Sequence, residues 1–147
     1  MKTSILAGVL GLASGLAFAE ATPVGTWKTI DDATKKEKSL VHITESGGVL
    51  TGKVEKVLDP TAKPDAVCDK CTDDRKDKPI VGMTIITGVK KSDNAADIWD
   101  GGHILDPNDG KVYKVRLSPA DGGRKLEVRG YIGMPLLGRT QTWLRVE

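Results

Sequence analysis

The chain has 147 residues with 22 Lys and Arg against 20 Asp and Glu, a formal charge of +2 that supplies no clustered basic face for a nucleic acid. Aromatic residues make up 4% and Phe18 is the single Phe, so a large aromatic-lined pocket is not expected. A chain of this length forms one domain around one core.

Residues 1–19 read as a secretory signal peptide. Met1-Lys2 supplies a positive charge, Ile5 to Phe18 is a run of apolar and small residues, and Ala17-Phe18-Ala19 is a small-x-small cleavage site. Gly8, Gly11 and Gly15 interrupt the run, which is too short to span a membrane. The first cysteine is Cys68, so no cysteine follows the cleavage site to carry a lipid. The sequence therefore predicts an exported protein, periplasmic or secreted, that is neither a lipoprotein nor membrane-spanning. Its mature chain starts near Glu20 and forms a single domain over residues 20–147.

No stretch of that mature chain sustains a helical period, whereas short β-type runs punctuated by Gly, Asp, Asn and Pro recur throughout. Val24 to Ile30 reads as a first strand carrying Trp27. The basic run Lys35-Lys36-Glu37-Lys38 is broken by its glutamate and reads as a solvated turn. Ser39 to Thr44 sets Val41 and Ile43 against Leu40 and His42. It returns through the Ser46-Gly47-Gly48 turn into Val49 to Leu58. A long polar loop over residues 59–79 holds Pro60, Pro64, Pro79 and both cysteines. Met83 to Lys90 is a strand, and Asp97 to Leu105 is another, bent at Gly101-Gly102. The turn Asp106-Pro107-Asn108-Asp109-Gly110 leads into Val112 to Ser118. Lys125 to Ile132, the loop Gly133 to Gly138 and a closing strand from Arg139 to Val146 complete the chain.

Eight strands with mostly tight connections and no intervening helices pair with their neighbours antiparallel. The predicted fold is all-β, an eight-stranded antiparallel up-and-down barrel, with a two-sheet β-sandwich as the alternative. Closure into a barrel removes exposed edges, and neither terminal strand has the charges of a protected edge.

Cys68-Asp69-Lys70-Cys71 admits three readings. A structural disulfide pinning the long loop suits an oxidising compartment. A redox pair would lack the helix N-terminus that activates a thiol, and a metal site would have only scattered aspartates as further ligands. His42 and His103 make no ligand spacing, and no metal or cofactor is expected. No nucleophile elbow, His-Glu-x-x-His or Ser-x-x-Lys motif is present, and acidic pairs such as Asp31-Asp32 and Asp73-Asp74 sit in turns.

Trp27 and Trp143 are expected in the core, with ligand stacking as the alternative, whereas Trp99 stands between Asp97 and Asp100 and could be exposed. Arg129 is placed on an outer face, because Leu126, Val128, Gly130 and Ile132 make the better inward one. Gly133-Met134-Pro135-Leu136-Leu137-Gly138 is unusually apolar for a loop. Its expected role is a plug, with Met134, Leu136 and Leu137 buried against one barrel opening; the alternative is an exposed contact for a partner or a membrane surface. The candidate ligand or partner contacts are thus Trp99, Arg139, Gln141, Trp143, Met134, Leu136 and Leu137.

Gly25-Thr26-Trp27 on the first strand of such a barrel partially resembles the lipocalin and calycin group. The group's Thr-Asp-Tyr motif has no counterpart. This resemblance implies that Trp27 closes one barrel end and that Arg145 packs over it. A resemblance spanning nearly the whole mature chain is to the exported bacterial family called domain of unknown function 2147. It is carried by Gly25-Thr26-Trp27, Cys68-x-x-Cys71, Pro79-x-x-Gly82-Met83, Asp106-Pro107 with Gly110-Lys111-x-Tyr113, Val128-Arg129-Gly130-Tyr131-Ile132-Gly133, and Leu137 to Val146. It implies a fold and no catalytic residues. The function expected is non-enzymatic binding of a small molecule or an envelope partner. The alternatives are a filled barrel acting through its outer surface, and a redox protein built on Cys68 and Cys71.

Overall fold

The computed structural model describes residues 21–147, so the predicted signal peptide and its cleavage site lie outside the described residues. Eight strands follow in chain order: β1 (Gly25–Ile30), β2 (Glu37–Ser46), β3 (Val49–Val57), β4 (Thr84–Lys91), β5 (Trp99–Asp106), β6 (Lys111–Ala120), β7 (Lys125–Tyr131) and β8 (Arg139–Arg145). Each pairs antiparallel with the next, and β8 returns to β1 through Trp27 opposite Arg145 and Lys28 opposite Leu144. The sheet is a closed barrel, which rules out the sandwich. The expected bend at Gly101-Gly102 is present as a register shift between β5 and β6.

Closure follows from the alternation along four of the strands. Val41 and Ile43 on β2, Leu50 and Val54 on β3, Val115 and Leu117 on β6, and Leu126 and Val128 on β7 are all buried. The intervening Lys53, Glu55, Lys114 and Glu127 are exposed. One apolar pleat face per strand suffices to fill a small barrel, and a one-residue slip would turn every such face outward. The inward face of β7 ends earlier than predicted. Ile132 is 64% exposed, because β7 stops at Tyr131 and the chain leaves the pleat before it.

The connections divide between the two barrel ends. Those after β2, β4 and β6 share one end with the start of β1. Those after β1, β3, β5 and β7 share the other, called the mouth below. The first end is closed by Trp27, which is fully buried and donates its indole N–H to the Pro23 carbonyl at 2.7 Å. The Arg145 guanidinium lies over that ring, 4.3 Å from its centroid. Its nitrogens donate to the carbonyls of Gly123 (2.6 Å), Val24 (2.8 Å) and Thr22 (2.8 Å). Gly25 makes this possible: a Cβ there would stand 2.3 Å from Arg145 Nη1. Burial lowers the Arg145 pKa, while the three carbonyls and the ring face receive its charge in place of water.

At the mouth, the segment between β3 and β4 is a small folded unit. Cys68 and Cys71 are bonded to each other, and both are buried. The Cys68 N–H donates to Lys78 O (2.9 Å), Asp77 N–H to Cys68 O (2.8 Å), and Ile80 N–H to Ala66 O (3.0 Å). Arg75 donates to the Thr84 carbonyl at 3.0 Å, tying the segment to β4. A bridge closing so short a loop constrains the unfolded chain by about 2 kcal/mol. Cys68→Ala with Cys71→Ala is therefore expected to lower the unfolding free energy by about that amount while the barrel persists. Urea melts of the double variant and of the reduced wild type check it, and both should shift alike.

Candidate functional site in the barrel mouth

Strand β8 carries its inward side chains at every second position, which sets Arg139, Gln141, Trp143 and Arg145 in a ladder from mouth to closed end. Arg145 belongs to the closed end. The other three line a cavity of about 260 Å3 that opens at the mouth. Its apolar wall is drawn from separate strands and from the disulfide-bearing segment: Val54, Ile80, Ile104, Val128 and Trp143. Trp143 is 2% exposed and donates its indole N–H to Gln141 Oε1 at 3.0 Å, which leaves the Gln141 amide group oriented within the cavity wall.

The rim is polar. Arg139 grips Asp32 with both ends of its guanidinium, Nη2 to Oδ1 at 2.6 Å and Nε to Oδ2 at 3.1 Å, so the β1–β2 connection is tied to the start of β8. The hydrogen bond from Arg139 holds Asp32 below the usual carboxylate range, and Asp32 in turn raises Arg139. Across the mouth Lys38 Nζ meets Asp59 Oδ2 at 3.2 Å, and Asp59 is lowered to about 2, chiefly by the Thr61 hydroxyl and amide. The Tyr113 hydroxyl donates to Asp109 Oδ2, and that bond pushes its pKa to about 12. Asp106 is the exception among the carboxylates. Burial raises it, and the amide of Asn108 only partly offsets that cost.

These groups can orient a bound molecule. Among the described residues no His or Cys lines the cavity. The hydroxyls of Thr29 and Ser39 bond each other at 2.8 Å.

Four of the seven proposed contacts fall elsewhere. Trp99 is 5% exposed and does not line the cavity. Its aspartate neighbours do not expose it, because Asp100 takes the opposite pleat face while Trp99 turns inward opposite Leu117. Lys91 Nζ covers the ring at 5.5 Å from its centroid. The plug is also overturned: Met134, Leu136 and Leu137 are 64%, 82% and 75% exposed. Arg129 explains why. It donates to the carbonyls of Pro135 (2.7 Å) and Leu136 (3.3 Å), and to the Thr140 hydroxyl (2.7 Å), holding the loop along the outer face of β7 and β8. Sequence reasoning missed Asp106 and Tyr113, although the pattern Asp-Pro with Gly-Lys-x-Tyr marked the turn that carries them.

Residues 25–145 match the bacterial family described as "Uncharacterized protein conserved in bacteria (DUF2147)". The chain belongs to the DUF2147 family. The match covers all eight strands, so in this family member the barrel, the disulfide-bearing segment and the mouth form one unit. Among solved structures the chain is similar to protein HP1028 from the human pathogen Helicobacter pylori, which belongs to the lipocalin family. The two share 21% identity and a TM-score of 0.73, over 87% of this chain and 85% of that one. This likeness shows a lipocalin-like fold. No curated protein matches the sequence. Among the described residues no helix is long and apolar enough to cross a membrane.

Proposed function

We propose that this DUF2147 protein is an exported binding protein that holds a small molecule in the mouth cavity and catalyses no reaction. The observation that carries the reading is the cavity itself: apolar walls, a fixed Gln141 amide, and a polar rim that includes Arg139 and the Asp106 carboxyl. A lipocalin-like barrel with one closed end is a frame for such a site. The disulfide and the signal-like residues 1–19 support export. At about 260 Å3 the space equals roughly nine waters at ~30 Å3 each, and falls just under the ~300–1,000 Å3 of drug-sized pockets. The ligand is therefore small, with an apolar body and one hydrogen-bonding head.

Protein purified from its native envelope should retain such a molecule in native mass spectrometry, and the emptied protein should bind anilinonaphthalene sulfonate. Val128→Phe, which grows into the cavity, should weaken dye binding at least about tenfold, as loss of one buried apolar contact surface does. A wild-type protein that carries no molecule and binds no dye would sink the proposal.

A further inference from the structure

The apolar loop that fails to plug the barrel is the largest departure from an ordinary protein surface here. Ile132, Met134, Leu136 and Leu137 are each between 64% and 82% exposed within six residues. Single exposed apolar residues are commonplace, but a contiguous set marks a contact surface. The set is also held in place: the three hydrogen bonds from Arg129 fix the loop backbone with those side chains turned to solvent.

The sheet face beside the loop is basic. Arg116 stands directly opposite Arg129 across β6 and β7, a like-charge pair that is unfavourable unless an anion joins it. Lys114 follows on the same face, opposite Tyr131. Among the described residues none of Lys114, Arg116 and Arg129 is in an ion pair, although Glu127 shares their face opposite Ser118. The Arg116 Nε is buried and has no hydrogen-bond partner among the described residues.

We infer that this surface docks the protein on an anionic lipid bilayer, the apolar loop entering the headgroup boundary while Lys114, Arg116 and Arg129 face the phosphates. An apolar tip flanked by cations and an interfacial tyrosine has the chemistry of a peripheral membrane contact. An apolar protein groove would satisfy the loop but not the unpaired cations. Because the loop after β7 belongs to the mouth end, docking there sets the cavity mouth near the bilayer. The inference stands on the outer surface and is independent of what fills the cavity.

The test is flotation of the mature protein with vesicles of equal parts phosphatidylglycerol and phosphatidylcholine, against vesicles of phosphatidylcholine alone. Binding is expected on the anionic vesicles only, and it should fall with added salt. Each basic side chain near such a surface strengthens binding roughly fivefold. Lys114→Gln with Arg116→Gln should thus weaken binding about twentyfold or more. Leu136→Ser with Leu137→Ser should abolish it without moving the thermal midpoint, since both side chains are exposed. Three results would overturn the inference: no flotation on anionic vesicles at low salt, binding unchanged by the leucine pair, or a wild-type dimer that this pair converts to monomer.

Discussion

Trp27→Ala is expected to lower the unfolding free energy by about 3–5 kcal/mol, the range of large core truncations. The side chain is fully buried and is the largest such residue among those described. Its removal does more than empty a volume. The indole N–H leaves the Pro23 carbonyl without its donor, and Arg145 loses the ring face 4.3 Å away while staying fixed to three other carbonyls. A desolvated cation deprived of one of its few compensations adds to the cost. Trp27→Phe keeps most of the volume and a weaker ring face but not the N–H, so it should lose less than half as much. Urea titration followed by far-ultraviolet circular dichroism measures both. Equal losses for Phe and Ala would mean that the Pro23 hydrogen bond, and not the packing, closes this end. An unmoved midpoint for Ala would show that the end is held without Trp27.

The barrel was legible in the sequence because its cause is local. Val41 with Ile43 and Leu126 with Val128 announce inward faces by alternation alone, and the Gly, Asn, Asp and Pro clusters mark where each strand ends. The candidate site was legible only in its C-terminal strand, where Arg139, Gln141 and Trp143 fall on one face by the same period of two. The rest depends on closure. Val54, Ile104 and Val128 come from different strands and meet only once β1 joins β8, and the Asp32–Arg139 pair is separated by 107 residues. Trp99 departs from the expectation because the pleat, and not the charge of the neighbouring aspartates, sets the face it takes. The 133–138 loop was misplaced because its composition demands a contact without saying which one. The choice between covering the mouth and lying outside it is made by Arg129, through hydrogen bonds to backbone carbonyls that no side-chain pattern encodes.

Gly110→Ala is expected to detach the disulfide-bearing segment from the barrel and to reduce binding in the cavity at least about tenfold, equivalent to about 1.4 kcal/mol. Gly110 ends the turn between β5 and β6 with φ of +73° and donates its N–H to Asp106 O at 2.8 Å. A Cβ there would stand 1.9 Å from the Lys70 carbonyl oxygen and 2.9 Å from the Cys71 nitrogen. Both are backbone atoms inside the closed Cys68–Cys71 loop, so they have no flexible side chain that can yield. The turn or the segment must move. The segment supplies Ala62, Ala66 and Ile80 to the cavity wall, so its displacement opens that wall to water. Gly47→Ala is the matched control. Gly47 also has positive φ, +60°, but a Cβ there meets nothing. Each variant bears the left-handed penalty of about 1–2 kcal/mol, and only Gly110→Ala adds the collision. Hydrogen exchange at the amides of Cys68, Asp77 and Ile80, with dye binding on the same samples, separates the two effects. Gly110→Ala should speed exchange at all three and lose the dye, while Gly47→Ala should only lower the melting midpoint. If both variants bind dye like the wild type, the segment does not form the cavity wall, and the site must be drawn from the barrel strands alone.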